Sequence, residues 1–532
     1  MMSTGCLNSA QKTVVAQVAP SAVSFCDLPS LIEESAIKRP ESTAIVDGKR
    51  RINYAALNKM VDRIAASLQR DGTRPKQVIA ICAATSAEYV AVFLGALRAG
   101  VAVAPLAPSA TPEQLIEMLR DADAQRLFVD GAVATALISS GIELPRGIAL
   151  SRLDGDGHLS LPNWLVPVSV NPMPVLVEPD WSFNIIYSSG TTGTPKGIVQ
   201  SHRMRWLQMQ YTPLFGFGPS TVTMVATPLY SNTTMTTVLP TLAFGGSLVL
   251  MAKFDAEAYL KLAQFEGVTH AMLVPVQYQR LMSRDDFGSF DLKSFRAKFC
   301  TSAPLSAALK ADVVERWPGL LVEYYGMTEG GGTCMLLANL HPTKLHTVGQ
   351  PAPEHDIRLI DEQGVEVAPG EIGEVVGRSA TMMMGYHNQP KKTSETEWVD
   401  ARGNRFIRTG DVGRFDEDGF LILLDRRKDM IISGGFNIYP SDLEAVLLKH
   451  PAVTNAAVVG VPSPEWGETP VAFFVRHTDY DTSPEEILIW ANQRLGKTQR
   501  LKGLRLVNEL PRSAIGKILK RELRDIWSDS ST

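Results

Sequence analysis

The chain has 532 residues, of which 45% are hydrophobic and 20% charged, and its formal net charge is −4. This is the composition of a globular protein with two or more domains, so a disordered or fibrous chain is excluded. The slightly acidic balance argues against nucleic acid as a partner, no apolar run of about 18 residues predicts a membrane span, and five cysteines without a CxxC pair fit a reducing, cytoplasmic compartment.

The first part of the chain alternates between short apolar strands and helices. Residues 1–25 are interpreted as a loose extension that precedes a helix at Leu28–Lys38. Strands are then predicted at Val78–Cys82, Val101–Pro105, Arg126–Asp130, Phe183–Tyr187, Val222–Ala226, Ser247–Met251, His270–Val274, Lys298–Thr301 and Val322–Tyr325. Helices are predicted at Glu88–Ala99, Pro112–Asp123, Ala256–Glu266 and Ser306–Trp317. This alternation predicts the α/β class, with mixed and parallel sheets flanked by helices.

The pattern changes after about Glu366. Glycine-rich turns separate short alternating strands there, which predicts a small β-barrel-like part of the large domain. A small α+β unit follows, with helices at Ser441–His450, Pro484–Leu495 and Ile518–Trp527 and strands at Val453–Val461 and Val471–Arg476. We therefore expect an N-terminal domain of residues 26–427 and a C-terminal domain of residues 428–532, divided within the charged run 425–429.

One segment has the composition of a phosphate-binding loop. The strand Phe183–Tyr187 leads into a run that joins glycines, hydroxyls and one lysine: Ser188, Ser189, Gly190, Thr191, Thr192, Gly193, Thr194, Pro195, Lys196 and Gly197. Glycine lets the backbone approach a ligand closely, hydroxyl and N–H groups donate to phosphate oxygens, and Lys196 adds a positive charge. The run is not a Walker A loop, because Gly197 rather than Ser or Thr follows the lysine. The alternative is a flexible surface linker.

This loop resembles the signature of the adenylate-forming superfamily, which holds acyl- and aryl-CoA synthetases, luciferases and the adenylation domains of peptide synthetases. Further motifs of that family occur in the family's order over roughly residues 30–525. The resemblance implies a large nucleotide- and acyl-binding domain followed by a small mobile domain. It also implies a role for individual residues of each motif.

The run Tyr324–Glu329 resembles the family's aromatic-Gly-x-Thr-Glu element, so Tyr325, Gly326 and Met327 are expected near the nucleotide. The resemblance implies that Thr328 contacts the phosphate and that Glu329 helps to hold Mg²⁺, an ion that favours carboxylate oxygens. A preceding loop, with Ser302, Ala303 and Pro304, resembles the adenine side of the site. Alone, the element is equally typical of a turn with a glycine at a strand end.

Two further motifs resemble the ribose and hinge elements. Asp411, in Arg408–Asp411, matches the aspartate that binds the ribose hydroxyls. Arg426 matches a nucleotide-contacting arginine, and Lys428 matches the hinge residue. The family usually has glycine where Asp425 stands, which leaves the backbone geometry there open. In isolation, the two fragments are also typical of an Asx turn and a solvated charge run.

The last two motifs belong to the predicted C-terminal domain. Gly434, Gly435 and Asn437 lie in a segment that resembles the loop of CoA ligases that lines the thiol tunnel. Lys517 resembles the lysine that reaches the acid's carboxylate and the α-phosphate, although a lone lysine in a basic tail is usually only solvated. Together the motifs predict a ligase that uses ATP, Mg²⁺ and coenzyme A and works in two steps through an acyl-adenylate, with rotation of the small domain between them.

The acid-binding pocket is expected from the resemblance at a set of mostly small or uncharged residues. These are Tyr230, Ser231, Asn232, Thr234, Val276, Thr301 and Gly331. Many CoA ligases have histidine where Ser231 stands, so the contacts beside the reacting carboxylate are open. No acidic residue at 230–234 is present to hold an amino group, and Gly330–Gly332 either leave space or form a flexible turn. These features favour an aromatic or medium-chain aliphatic acid.

Three functions are compatible with these motifs. The first is a carboxylate–CoA ligase, and the second an acyl-AMP ligase that loads a carrier-protein thiol or no thiol. The third is a nucleotide-binding homologue without catalysis, which the intact Glu329 and Lys517 argue against. A homodimer is compatible with each. For His202, which follows the strand Gly197–Gln200, a positional hydrogen bond is favoured over a functional role.

Overall fold

The computed structural model describes residues 24–188, 196–426, 429–433, 436–464, 466–496, 499–513 and 516–529, with only the backbone for Ser188, Asp425, Arg426, Phe436 and Asn437. The chain divides into two compact units. Unit 1 comprises Met1–Leu345, Pro351–Asp356 and Gly377–Ile407, and unit 2 comprises His346–Gln350, Ile357–Val376 and Arg408–Thr532. The predicted N-terminal extension lies almost wholly outside the described residues.

Strands and helices alternate through most of the chain. The strands are β1 (Thr43–Asp47), β2 (Arg50–Asn53), β3 (Val78–Cys82), β4 (Ala102–Leu106), β5 (Ala124–Val129), β6 (Ala149–Arg152), β7 (Ser182–Ser188), β8 (Lys196–Ser201), β9 (Val222–Val225), β10 (Ser247–Leu250), β11 (His270–Leu273), β12 (Ala297–Cys300), β13 (Leu320–Met327), β14 (Gly330–Leu337), β15 (Gln350–Pro351), β16 (Asp356–Ile360), β17 (Gly373–Arg378), β18 (Gly385–Tyr386), β19 (Glu397–Val399), β20 (Arg405–Phe415), β21 (Leu421–Arg426), β22 (Ile431–Ser433), β23 (Phe436–Ile438), β24 (Val453–Ser463), β25 (Gly467–Arg476) and β26 (Gly503–Leu506). The helices are α1 (Leu28–Lys38), α2 (Tyr54–Arg70), α3 (Ala87–Arg98), α4 (Pro112–Asp121), α5 (Gly131–Ser140), α6 (Leu161–Trp164), α7 (His202–Gln210), α8 (Asn232–Ala243), α9 (Ala256–Glu266), α10 (Pro275–Met282), α11 (Ala307–Arg316), α12 (Pro390–Glu395), α13 (Pro440–Leu447), α14 (Pro484–Asn492) and α15 (Lys520–Asp529), with 3₁₀ turns at Thr212–Phe215 and Phe287–Ser289.

A seven-stranded sheet in unit 1 has the order β18-β8-β7-β4-β3-β5-β6. Its strands from β7 to β6 pair in parallel, whereas β7, β8 and β18 pair antiparallel. Every residue of β3 and β4 is buried, as expected for parallel strands covered by helices on both faces. The sequence predicts these buried strands, and the structure adds the antiparallel edge.

A second sheet has the order β15-β14-β13-β12-β11-β9-β10-β1-β2. Its middle strands are parallel, while β1/β2 and β13/β14 are antiparallel pairs. One core under this sheet surrounds the buried Trp317, against whose ring Tyr259, Tyr278, Phe287 and Phe295 pack. The predicted α/β class is confirmed for this unit.

Local sequence signals explain where the helices begin and end. The Ser86 side chain caps α3, and the chain leaves that helix through Gly100, whose φ of +69° is a conformation that glycine adopts without strain. Thr111 and Gln114 form a reciprocal capping box at α4, which begins at Pro112 as predicted. The helix ends at Asp121 rather than at the predicted Asp123. The next strand, β5, begins directly after Asp123, at Ala124.

Unit 2 holds two groups of strands. In the first, β16, β17 and β20 are neighbours in one sheet, and β21 pairs antiparallel with the second half of β20. The second is a sheet of order β23-β22-β25-β24 with β26 on β25, flanked by α13, α14 and α15. The predicted α+β character of the C-terminal part is confirmed. In the described part of the chain, no helix combines the length and the apolar character that crossing a bilayer requires.

Candidate active site

The predicted phosphate loop connects two strands of an antiparallel hairpin. The last pair between β7 and β8 joins Ser188 to Lys196. Glycine is needed at position 197, because a Cβ there would lie 2.7 Å from Cγ2 of Ile185. The predicted phosphate ligands Ser189, Gly190, Thr191, Thr192, Gly193 and Thr194 lie outside the described residues, as does the side chain of Ser188. The structure thus gives the position of Lys196, and the contacts of the loop stay a prediction.

Thr328 and Glu329 form the two-residue turn of a second hairpin. Met327 of β13 pairs with Gly330 of β14, which leaves these two residues at the tip. Gly330 has a φ of +87°, and a Cβ on it would lie 2.0 Å from the carbonyl oxygen of Thr381. The predicted element thus ends in this turn, while its own glycine, Gly326, lies before the turn in β13. Gly330, which follows the turn, is required by close contact with a neighbouring backbone.

The expectation that Gly330–Gly332 leave open space or form a flexible turn is wrong. All three residues are buried in β14. A Cβ on Gly331 would lie 3.2 Å from the carbonyl oxygen of Gly377 and equally close to Cβ of Ile407. Neighbouring chain segments fill the room that the missing side chains leave at Gly330 and Gly331, so the width of an acid pocket cannot be inferred from these glycines.

A short bridging segment (residues 383–387) joins the two hairpins. On one side, the N–H groups of Met384 and His387 donate to carbonyl oxygens of β8, at 2.9 and 2.7 Å. On the other side, the Met383 N–H donates to the carbonyl oxygen of Glu329 at 2.8 Å. The two hairpins belong to different sheets, and this segment bonds to both.

Tyr386 of the bridging segment places the two predicted charged residues beside one ring. Its hydroxyl donates to Oε1 of Glu329 at 2.9 Å, and Nζ of Lys196 lies 5.6 Å from the centre of its ring. Burial and the adjacent carboxylate of Glu329 raise the pKa of the Tyr386 hydroxyl, so it remains a donor at neutral pH. Lys196 and Glu329 are thus brought together through a tyrosine that the sequence analysis missed.

The predicted adenine-side loop is held at both of its ends. Ser302 has a φ of +81°, unusual for a residue with a side chain, and its hydroxyl lies 2.6 Å from Oγ1 of Thr233. At the other end, the buried carboxylate of Glu323 accepts a hydrogen bond from the Leu305 N–H and forms an ion pair with the buried Lys310. These contacts place Thr301, Ser302, Ala303 and Pro304 beside the start of α8. Tyr325 lies half-buried at the end of β13.

The predicted acid-pocket segment forms the start of α8. Ser231 is buried and caps the helix, accepting from the Thr233 N–H at 3.3 Å. The Thr234 hydroxyl contacts the carbonyl oxygen of Pro228 at 2.6 Å and Oγ1 of Thr227 at 2.8 Å. These two hydroxyls are used by the fold, whereas Tyr230 and Asn232 are only partly buried. Val276 lies, half-buried, at the start of α10.

A buried polar cluster lies behind Asn232. The Arg205 guanidinium, 1% exposed, donates to side-chain oxygens of Asn184, Gln200, Gln208 and Asn232. Gln200 in turn donates to the carbonyl oxygen of Thr328 at 2.7 Å. The signal in the sequence is two amide residues, Asn184 and Gln200, inside otherwise apolar strands. His202 is buried too, with its ring edge-on to Phe183, and its backbone N–H donates to the carbonyl oxygen of Trp181 at 3.0 Å.

The remaining predicted residues belong to unit 2, and the structure describes some of them. Asp411 of β20 and Arg426 of β21 are directly paired across strands, although the side chain of Arg426 is not described. Lys517 is exposed and follows Gly516 in a tight turn, where the Ser513 N–H donates to the Lys517 carbonyl oxygen at 2.8 Å. Lys428, Gly434, Gly435 and the side chain of Asn437 lie outside the described residues.

A magnesium ion fits Glu329 in one respect. Its Oε1 accepts from Tyr386, and the second carboxylate oxygen can bind a cation. Mg²⁺ in nucleotide enzymes is typically held by one or two carboxylates together with substrate phosphates. The described residues contain no cluster of three or more His, Cys, Asp or Glu side chains, so they form no dedicated cage for a metal ion.

Comparison with known proteins identifies the family. The chain matches the family model described as "AMP-binding enzyme" over residues 32–387 and the model described as "AMP-binding enzyme C-terminal domain" over residues 442–517. It is 32% identical over 493 residues to a feruloyl-CoA synthase of an Amycolatopsis species, covering 91% of this chain and 96% of that protein. It is also 29% identical over 504 residues to the fatty acid–[acyl-carrier-protein] ligase ScoC of Streptomyces coeruleorubidus, covering 92% of this chain and 95% of that protein.

Among solved structures, ATP-bound MatB from Rhodopseudomonas palustris superposes with a TM-score of 0.82 at 26% identity, over 95% of this chain and 100% of that one. The likeness extends over nearly the whole chain. Together with the family models, it shows that the chain belongs to the AMP-binding, adenylate-forming enzyme family.

Proposed function

We propose that the protein is an ATP-dependent carboxylate–CoA ligase. It forms an acyl-adenylate with release of pyrophosphate, and then transfers the acyl group to the thiol of coenzyme A with release of AMP. The observation that carries the proposal is the near-full-length similarity to a CoA synthase, in a chain whose Lys196 and Glu329 lie beside the same Tyr386 ring.

In the first step, a carboxylate oxygen of the acid attacks the α-phosphorus of ATP, and the bond to pyrophosphate breaks. Lys196 and the loop 188–194 hold the phosphates, Thr328 donates to them, and Lys517 draws the acid and the α-phosphate together. Such a step depends on positioning and on stabilising the negative charge that gathers at phosphorus. A Mg²⁺ ion bound at Glu329 would neutralise phosphate charge.

Two sets of residues are proposed to hold the nucleotide. Tyr325, Gly326, Met327 and the loop with Ser302, Ala303 and Pro304 form the base side. Asp411 accepts from the ribose hydroxyls, and Arg426 contacts the nucleotide. The cross-strand pairing of Asp411 with Arg426 supports a shared role, because directly paired residues lie within reach of one ligand.

In the second step, the CoA sulfur attacks the acyl carbon, the thiol proton passes to solvent, and the bond to AMP breaks. Gly434, Gly435 and Asn437 line the path of the thiol. Because Lys517 is needed first and this loop second, the domain that begins at residue 428 turns about Lys428 between the steps. Hinges of this kind are a few residues that absorb a large backbone change. A homodimer is compatible with this cycle.

The acid is proposed to be aromatic or medium-chain aliphatic. The start of α8, with Tyr230, Ser231, Asn232 and Thr234, forms one wall with Val276, Thr301 and Gly331 nearby. Residues 230–234 include no acidic side chain to hold an amino group. The feruloyl-CoA synthase relative, whose name describes an aromatic acid, supports the aromatic choice.

A second candidate is the transfer of the acyl group to a carrier protein. The similarity to a fatty acid–[acyl-carrier-protein] ligase over 92% of the chain favours it. The two candidates share the first step and differ only in the thiol that accepts the acyl group.

One experiment tests both candidates. Pyrophosphate release is measured over a panel of aromatic and aliphatic acids, without thiol, with CoA, and with a phosphopantetheinylated carrier protein. Acyl-CoA product supports the main proposal, and release with product only on the carrier protein supports the second. Release with neither thioester would limit the function to adenylation, and no release with any acid would overturn the ligase.

A further inference from the structure

Arg205 is a buried cation that the proposed mechanism does not use. Its guanidinium donates to four neutral amide oxygens: Asn184 at 3.1 Å, Gln208 at 3.0 Å, Asn232 at 2.8 Å, and Gln200. Among the described residues, no carboxylate pairs with it. Burial lowers the pKa of Arg205 to about 9, so the group is still charged at neutral pH. A buried charge without a counter-ion is costly, which raises the question of what balances it.

The cluster fixes the orientation of the Asn232 amide. A guanidinium has donors and no acceptor, so the atom of Asn232 that faces Arg205 must be the oxygen. Gln200 Nε2 donates to the same oxygen at 3.4 Å. The amide nitrogen of Asn232 therefore points away from the cluster. The side chain is partly exposed, and no described residue accepts a hydrogen bond from that nitrogen.

Two contacts place this nitrogen at the proposed site. Gln200 Nε2, which contacts the Asn232 oxygen, also donates to the carbonyl oxygen of Thr328 at 2.7 Å. Thr233, the next residue along the chain, contacts Ser302 at 2.6 Å. Asn232 thus lies between the turn of Thr328 and Glu329 and the loop of Ser302, where the acid and the α-phosphate must meet.

We propose that Asn232 donates a hydrogen bond from its amide nitrogen to the reacting carboxylate of the acid, and that Arg205 positions and polarises that amide. A donor that bonds to the amide oxygen withdraws electron density and strengthens the N–H groups as donors. Through the Asn232 amide, the positive charge of Arg205 in this way stabilises the carboxylate of the acid. The substrate carboxylate is then the charge that balances Arg205, which makes Arg205 a positioning residue.

This assignment rests on the proposed ligase function and adds a residue to it. Ser231, which stands where many CoA ligases have histidine, is buried as the cap of α8 and directs its hydroxyl to the helix backbone. The next residue, Asn232, is the one whose side chain presents a fixed donor. Asn232 thus provides a donor that Ser231 does not, and Arg205 holds its amide from the side of the buried cluster.

The test compares Asn232→Asp with Gln208→Glu. Both variants place a carboxylate against the Arg205 guanidinium, and only the first removes the amide donor. The substrate for this comparison is whichever of benzoate, 4-methoxycinnamate and octanoate the wild-type enzyme turns over fastest. The rate of pyrophosphate release then gives separate KM values for the acid and for ATP. For Asn232→Asp we expect the KM of the acid to rise about tenfold or more and the KM of ATP to stay within about twofold, as loss of a hydrogen bond to a charged group implies. For Gln208→Glu we expect a rise of about threefold or less.

Two Arg205 variants test the positioning role. Arg205→Met frees the Asn232 amide to turn, and the KM of the acid should rise severalfold. Arg205→Lys keeps the charge and one bond, and should recover part of that loss. Equal changes in the KM values of acid and ATP, or an unchanged KM of the acid in Asn232→Asp, would overturn the proposal. If Arg205→Met does not fold, the comparison of Asn232→Asp with Gln208→Glu still decides.

A binding measurement separates this proposal from the ligase function. The same three acids are titrated calorimetrically into the wild-type protein and into Asn232→Asp. Weaker binding to the variant, even without pyrophosphate release from any acid, would support the carboxylate contact while the ligase proposal fails. Equal binding to both proteins, or binding to neither, would overturn the contact.

Discussion

The Tyr386 hydroxyl donates a hydrogen bond of 2.9 Å to Oε1 of Glu329. The two residues are far apart in the sequence, and they meet because β18 pairs with β8 while the neighbouring Met383 N–H bonds to the backbone of Glu329. The bond leaves one carboxylate oxygen of Glu329 for a cation and fixes the direction in which it points.

Removal of that hydroxyl should weaken the first half-reaction. In Tyr386→Phe the ring still lies beside Lys196 and only the donor to Glu329 is lost. A hydrogen bond to a charged group is worth about 1.5–3 kcal/mol, so kcat/KM for pyrophosphate release should fall about tenfold to hundredfold. The Mg²⁺ concentration for half-maximal rate should rise as well. The exposed Tyr480→Phe is the control, and a Tyr386→Phe enzyme with unchanged rate and Mg²⁺ dependence would show that the bond has no catalytic role.

Lys517→Ala should separate the two half-reactions. We expect pyrophosphate release to fall by about two to three orders of magnitude, the range seen when one charge-stabilising donor is removed. Thioester formation from supplied acyl-adenylate and CoA should continue at the wild-type rate. Lys502→Ala, another exposed lysine of unit 2, is the control. An equal loss of both half-reactions would contradict the role assigned to Lys517.

The buried pair of Glu323 and Lys310 should be needed for stability. In Glu323→Gln the Lys310 ammonium is left buried without its carboxylate, and such a loss costs about 3–5 kcal/mol of unfolding free energy. The double variant Glu323→Gln/Lys310→Met removes both charges and should recover most of that loss. Denaturant unfolding followed by tryptophan fluorescence measures both. If the double variant is no more stable than Glu323→Gln, the unpaired charge of Lys310 is not the cause of the lost stability.

Acid should destabilise unit 1 through His355. Burial lowers its pKa to about 4, from 6.5, and Nδ1 must be unprotonated because it accepts from the Thr333 N–H at 2.9 Å. Between these two values the unfolded chain binds a proton that the folded protein does not, so stability is full above pH 6.5 and falls by roughly 2–3 kcal/mol toward pH 4.

The pH dependence of unfolding measures this effect. His355→Asn keeps an acceptor and does not titrate, so its unfolding free energy should fall less steeply between pH 6.5 and pH 4, by about one proton's contribution. His202 and His270, whose pKa values burial also lowers to about 4, account for part of the remaining slope. A variant with the slope of the wild type would show that His355 is not responsible.

Gly330→Ala should disrupt the turn of Thr328 and Glu329. Its φ of +87° strains any L side chain, and the new Cβ would lie 2.0 Å from the carbonyl oxygen of Thr381. We expect a loss of more than about 3 kcal/mol in stability or an insoluble product, and loss of pyrophosphate release in any protein recovered. Gly218→Ala, at a glycine with open space around it, should be close to neutral. Wild-type activity in Gly330→Ala would contradict the structure of this turn.

The sequence was sufficient for the elements that depend on local patterns. Helix α1 and strand β3 lie where apolar periodicity and caps predict them, and α9 matches its predicted bounds. The motifs also identify Glu329 and Lys196 without any knowledge of the contacts between them.

Long-range contacts were not predictable in this way. Nothing near Tyr386 in the sequence marks it as the partner of Glu329, because the pairing depends on how a two-residue strand meets β8. For Arg205, the amides in β7 and β8 were a visible signal, but only the fold shows that they converge on one guanidinium. The inference that Gly331 leaves space in the acid pocket was wrong for the same reason, since the sequence does not show which backbone segment lies against this glycine.

The bridging segment at 383–387 has a mechanical consequence. Its backbone hydrogen bonds connect the strand that carries Lys196 to the turn that carries Glu329. A displacement of either hairpin should therefore also displace the other. If a triphosphate binds beside Lys196 as proposed, the shift of that strand should displace the Glu329 carboxylate. A spectroscopic label at the exposed Met384, in the same segment, would detect this displacement. We therefore expect the two hairpins, although they belong to separate sheets, to move together, with Tyr386 linking them.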